Sequence, residues 1–186
     1  MDILFLNIIT SIPEIISESV KTNPSIAYLV IGFAMFLENI IPPIPSEIIM
    51  PLGGFFVYQG TLNFYILGTL NFYILVIFGV LGTVLGALPW YYLGKFLNEK
   101  KLAAFIDKRG KFLGITSQDL VKSKSWFDKY GVSLVFWGRL IPGVRTLISV
   151  PAGIELMPLN KFLIWTSLGS LIWVIALSLA GYIFGE

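Results

Sequence analysis

Two stretches of this chain, residues 64–93 and 162–185, contain no charged residue. Each is longer than the roughly 20 residues an α-helix needs to cross the hydrocarbon core of a bilayer. The rest of the chain agrees. Of its 186 residues 56% are hydrophobic and only 13% charged, whereas a soluble domain carries about 25% charged residues to cover its surface. The sequence therefore predicts an all-α integral membrane protein.

Absences narrow the chemistry. With no Cys and no His there is no disulfide framework, thiol nucleophile, His-dependent catalytic unit, or imidazole or thiolate metal site. No cofactor or metal is expected. A formal net charge of +2 gives no reason to expect nucleic acid as a partner. Residues 1–25 mix apolar positions with Asp2, Glu14 and Glu18, and Pro13 interrupts them. They read as an amphipathic N-terminal segment lying in the membrane interface.

The remaining hydrophobic segments are broken. Residues 26–41 are apolar but too short to span, and they run into Pro42, Pro43, Pro45, Pro51 and Gly53 while hydrophobicity continues to Val57. Proline lacks the N–H donor and clashes with the preceding turn, so these residues should interrupt the helix. Irregular backbone at membrane depth survives only inside protein or beside a wet cavity. Residues 26–57 are therefore expected to form a re-entrant hairpin. Residues 131–157, broken by Pro142, Gly143, Pro151 and Gly153, should form a second.

Between them, residues 94–130 hold nine of the thirteen Lys and Arg, which marks a basic cytoplasmic loop with an interfacial helix. Trp90, Tyr91 and Tyr92 are expected to form an interfacial aromatic belt. Gly82 with Gly86, and Gly181 with Gly185, offer faces for close helix packing. The octet GTLNFYIL occurs in tandem at 60–67 and 68–75, which reads as a local insertion lengthening the span or its entry loop.

Compared with itself, the chain matches without a gap at residues 41–53 (IPPIPSEIIMPLG) and 141–153 (IPGVRTLISVPAG). Pro42/Pro142, Pro51/Pro151 and Gly53/Gly153 are among the identities. The organisation read from this is a first repeat over 26–93 (hairpin 26–57, span 64–93) and a second over 131–186 (hairpin 131–157, span 162–185). A hairpin adds no net crossing and a span adds one. The second repeat would then enter from the opposite side, the inverted layout of many secondary transporters.

The first hairpin carries Glu38 and Glu47, the second Arg139 and Arg145. A charge at the bilayer centre costs about 2.5–3.5 kcal/mol even on lenient insertion scales, so these four should face one another or water. They could be salt bridges closing the bundle, but a buried ion pair is seldom more stabilising than a packed apolar pair. Arginine's planar fork suits bidentate phosphate or carboxylate binding, which makes Arg139 and Arg145 candidate anion ligands. A carboxylate that gains or loses a proton as the anion leaves or arrives is a minimal proton coupler. Glu38 is the first choice for it and Glu47 the second.

FLENIIPPIPSEIIMPLGGF (36–55) together with FWGRLIPGVRTLISVPAGIELM (136–157) resembles the DedA family, small bacterial membrane proteins with the VTT, or SNARE-associated, domain. The matching residues are Glu38, Pro43, Pro45 and Glu47, then Arg139, Pro142, Arg145, Ala152, Gly153 and Met157. The resemblance implies a flippase for polyprenyl (undecaprenyl) phosphate in the bacterial inner or plasma membrane, with membrane lipids and protons as partners. It is compatible with a homo-oligomer. Proton-coupled transport of a small ion or solute and phospholipid scrambling on the same fold remain alternatives. So do a membrane-embedded enzyme, although Ser46, Ser149 and Ser170 have no sequence-visible base, and a purely structural protein.

Overall fold

Helices α1 (Asp2–Thr22), α2 (Pro24–Ile40), α3 (Ser46–Tyr58) and α4 (Gly68–Phe96) are followed by α5 (Ser133–Arg139), α6 (Val144–Leu147), α7 (Ser149–Ile154) and α8 (Leu159–Ile183). They belong to a computed structural model that describes residues 2–41, 46–61, 68–96, 122, 125–127 and 129–185. Among these residues no strand occurs. Most of the expected basic loop and Pro42, Pro43 and Pro45 lie outside them.

The long helices α4 and α8 are apolar enough and long enough to cross a bilayer. Each has two faces. On α4 the buried side is Asn71, Leu75, Gly79, Thr83 and Ala87, and the exposed side carries Tyr73, Ile77, Leu81 and Leu85. On α8 Phe162, Thr166, Ser170, Val174 and Ser178 are buried, while Ile164, Leu168 and Ile172 are exposed. Continuous exposed apolar stripes of this kind suit lipid and not water.

The chain divides into two compact units, residues 1–38, 44–83 and 171–186, and residues 39–43 and 84–170. In the first, α1 packs on α3. Here the helix breakers act differently from expectation. α1 runs through Pro13, and α3 runs through Pro51 and Gly53. The carbonyl that Pro51 leaves without a donor belongs to Glu47, on the exposed first turn of α3, where the loss costs least.

Close backbone approach holds this unit together. A Cβ on Gly82 would overlap the Gly32 carbonyl oxygen of α2 and lie 3.1 Å from the Met35 Cβ. A Cβ on Gly54 would overlap the Ser178 carbonyl of α8, and one on Gly181 the Pro51 carbonyl. Tyr182 meets Tyr58 edge-on, with ring centroids 5.3 Å apart.

The second unit centres on Ala87, Tyr91, Phe127, Val135, Ala152, Met157 and Phe162. Tyr91 stacks on Phe162 at 4.5 Å and its hydroxyl donates to the Met157 carbonyl. Trp90 Nε1 donates to the Asn39 carbonyl at 2.7 Å. Tyr91 is therefore an internal packing group, while Trp90 is part-buried with its N–H satisfied within the unit. Tyr92 is exposed. Pro151 sits at the third position of α7, where its missing N–H would have had no partner in the helix. It and Gly153 therefore lie inside a helix and do not break it.

Close approaches recur here in matched positions. A Cβ on Gly169 would lie 2.8 Å from the Phe136 carbonyl oxygen and 2.7 Å from the Arg139 Cβ. A Cβ on Gly153 would overlap the Tyr91 carbonyl, and one on Gly94 the Val150 carbonyl. In the long helices Gly82 and Gly169, Tyr91 and Ser178, and Gly94 and Gly181 all stand 87 residues apart. Gly32 with Phe136 and Met35 with Arg139 are 104 apart. Gly54 with Gly153 and Pro51 with Val150 are 99 apart.

Candidate functional site

The chain turns between α5 and α6. Pro142 has no N–H to continue α5, and Gly143 takes φ 76°, a left-handed conformation that a residue without Cβ adopts freely. The turn places Arg139 at the last position of α5 and Arg145 at the second position of α6. Both are buried, at 1% and 3% exposure. Pro142 and Gly143 lie between helices, whereas Pro151 and Gly153 lie within one.

Arg139 is held by specific bonds. Its Nη1 donates to Asn39 Oδ1 at 3.2 Å and its Nη2 to Ser149 Oγ at 2.7 Å. Asn39 is itself fixed through its carbonyl by Trp90. Hydrogen bonds to an ionised donor are the stronger kind, so the guanidinium plane is oriented before any ligand arrives. Thr146, next to Arg145, and Ser149, bonded to Arg139, are buried, and Thr166 and Ser170 are buried on α8. The unit therefore concentrates cationic and hydroxyl donors, the donor set that an oxyanion needs.

The expected carboxylates belong to the first unit. Glu38 is buried, 4% exposed, in the last turn of α2. Glu47 is exposed in the first turn of α3, with Ser46 Oγ 3.5 Å from its Oε2. Among the described residues no three acidic side chains cluster to hold a metal ion.

Sequence reasoning missed Asn39. Its signal was available: an amide in an apolar helix must find a partner, and Asn39 stands 100 residues before Arg139. Ser149 and Ser170 were considered only as nucleophiles lacking a base.

The VTT domain profile matches residues 43–183. The chain is similar to a protein named alkaline phosphatase-like protein from Lactococcus lactis subsp. cremoris, at 41% identity over 86% of this chain and 71% of the relative. It is also similar to proteins named undecaprenyl phosphate transporter A. That of Staphylococcus aureus is 34% identical, covering 90% of this chain and 77% of the relative. That of Bacillus subtilis is 35% identical, covering 93% and 79%. No solved structure matches the chain.

Proposed function

The chain belongs to the VTT-domain, or DedA, family, and from that premise we propose that it is a multi-pass flippase of the bacterial cell membrane. Its cargo is an anionic lipid, polyprenyl (undecaprenyl) phosphate. Arg139 and Arg145 bind the phosphate, and Glu38, with Glu47 second, couples its movement to protons. The two hairpins are re-entrant and the repeat is inverted, with the basic 94–130 segment on the cytoplasmic side.

One observation carries this reading: two buried guanidinium groups flank a broken turn, one of them already oriented by Asn39 and Ser149. A buried arginine costs too much to keep as packing, and a lipid phosphate is the anion that must pass membrane depth with its tail in lipid. Relatives named for transporting that lipid support the choice of cargo. The matched glycine contacts of the two units support the repeat.

The test is leaflet exchange of polyprenyl phosphate in liposomes bearing wild type or Arg145→Ala. Wild type should exchange the lipid and the variant should lose at least tenfold while still inserting. Exchange of phosphatidylglycerol at the same rate would favour scrambling. Proton movement without carrier lipid would favour a small-solute transporter. One relative's phosphatase-like name makes inorganic phosphate a further readout. No release is expected, and release from the lipid would overturn the transporter reading.

A further inference from the structure

Two hydroxyls in the second unit have no described partner. Thr166 is 0% exposed and Ser170 2% exposed, and neither side-chain oxygen has a hydrogen-bond partner among the described residues. Leaving a buried hydroxyl unpaired sacrifices about 1–3 kcal/mol, and an alanine or valine would avoid the loss. Their placement is specific. On α8 residues 166, 169 and 170 share one face, being three and four apart. Gly169 on that face is the residue against which Arg139 packs, a Cβ there lying 2.7 Å from the Arg139 Cβ.

We propose that Thr166 and Ser170 are further ligands of the anion held by Arg139 and Arg145, donating their hydroxyl protons to its phosphate oxygens. The inference rests on the phosphate-lipid reading above and adds donors to the same site. A phosphate monoester offers more acceptor lone pairs than two guanidinium forks fill. Hydroxyl donors also discriminate phosphate from a carboxylate headgroup, which presents fewer oxygens. The first unit provides the internal control. The pair Gly169–Ser170 matches Gly82–Thr83, and Thr83 is likewise buried without a described partner. There the first-arm residue against the glycine is Met35, not an arginine.

The experiment measures the rise in thermal midpoint of the full chain in detergent on titration with undecaprenyl phosphate, with neutral undecaprenol as the matched lipid. Thr166→Val and Ser170→Ala should each weaken the phosphate-dependent stabilisation about three- to tenfold. The ligand-free midpoint should stay level or rise, since an unpaired polar group has gone. Thr166→Ser should retain affinity, and Thr83→Val should leave it at the wild-type value. Full affinity in Thr166→Val and Ser170→Ala would overturn the inference while leaving the transporter reading intact. A drop in ligand-free midpoint matching the loss of stabilisation would also overturn it, by making the hydroxyls structural. Equal stabilisation of wild type by undecaprenol and by undecaprenyl phosphate would overturn both.

Discussion

Gly82 in the first unit and Gly169 in the second each admit the backbone of a neighbouring helix, α2 and α5, but the side chain abutting that glycine is Met35 in one and Arg139 in the other. The second arms repeat the theme, with Gly54 against the Ser178 carbonyl and Gly153 against the Tyr91 carbonyl. The same contact geometry thus serves an apolar residue in one unit and a buried guanidinium in the other. Packing does not demand the charge. The first unit's groove, about 410 Å³, is lined by apolar residues such as Ile12, Ile16, Leu29 and Phe33.

The largest effect should come from breaking the shared contacts. Gly54→Ala and Gly153→Ala each drive a Cβ into a backbone carbonyl that cannot rotate away. Overpacking normally costs about 1–3 kcal/mol, and a backbone obstacle puts these at or above the upper end. Both variants should lose most folded protein in size-exclusion and thermal-unfolding measurements. Gly185→Ala, whose Cβ would lie 3.1 Å from the Phe55 and Tyr58 rings and 3.2 Å from the Gly181 carbonyl oxygen, should cost less than either, since none of these contacts is an overlap. Tolerance of Gly54→Ala beside collapse of Gly153→Ala would end the comparison.

A smaller loss of stability but a clear loss of function is expected from Arg139→Met, which copies the first unit's residue into the second. Ser149 Oγ and Asn39 Oδ1 lose their donor, about 1–3 kcal/mol of stability at most, while leaflet exchange should fall at least tenfold. Arg139→Lys should not restore it, because an ammonium cannot keep the two-pronged geometry to Asn39 and Ser149. Recovery of transport in the Met variant would show that the cation is packing after all.

Much of this was legible in the chain. Charge-free stretches announced α4 and α8, and the Pro142–Gly143 pair announced the turn that separates Arg139 from Arg145. The register of the repeat was less accessible. The ungapped match pairs Gly53 with Gly153, but the contacts pair Gly54 with Gly153, because five more residues separate the contact positions in the first half. The link from second arm to long helix is also longer in the first half, by twelve residues, and the tandem octet accounts for eight of them. Pro51 and Pro151 misled because a proline's cost depends on where in a helix its missing donor falls. Asn39 escaped notice because its role depends on a partner from a distant segment.

The two carboxylates supply the finest division. Glu38 is buried in the last turn of α2, directly before the Asn39 that anchors Arg139, while Glu47 is exposed on the first turn of α3. Burial inside an apolar helix is what makes Glu38 the first choice for the proposed proton step and Glu47 the second. Glu38→Gln should flatten the pH dependence of leaflet exchange and lower its rate about tenfold. Glu47→Gln should change the rate by about twofold and leave the pH profile sloping as in wild type. The reverse ranking would move the proposed proton step to the first turn of α3. It would also mean that burial is no guide to which carboxylate works.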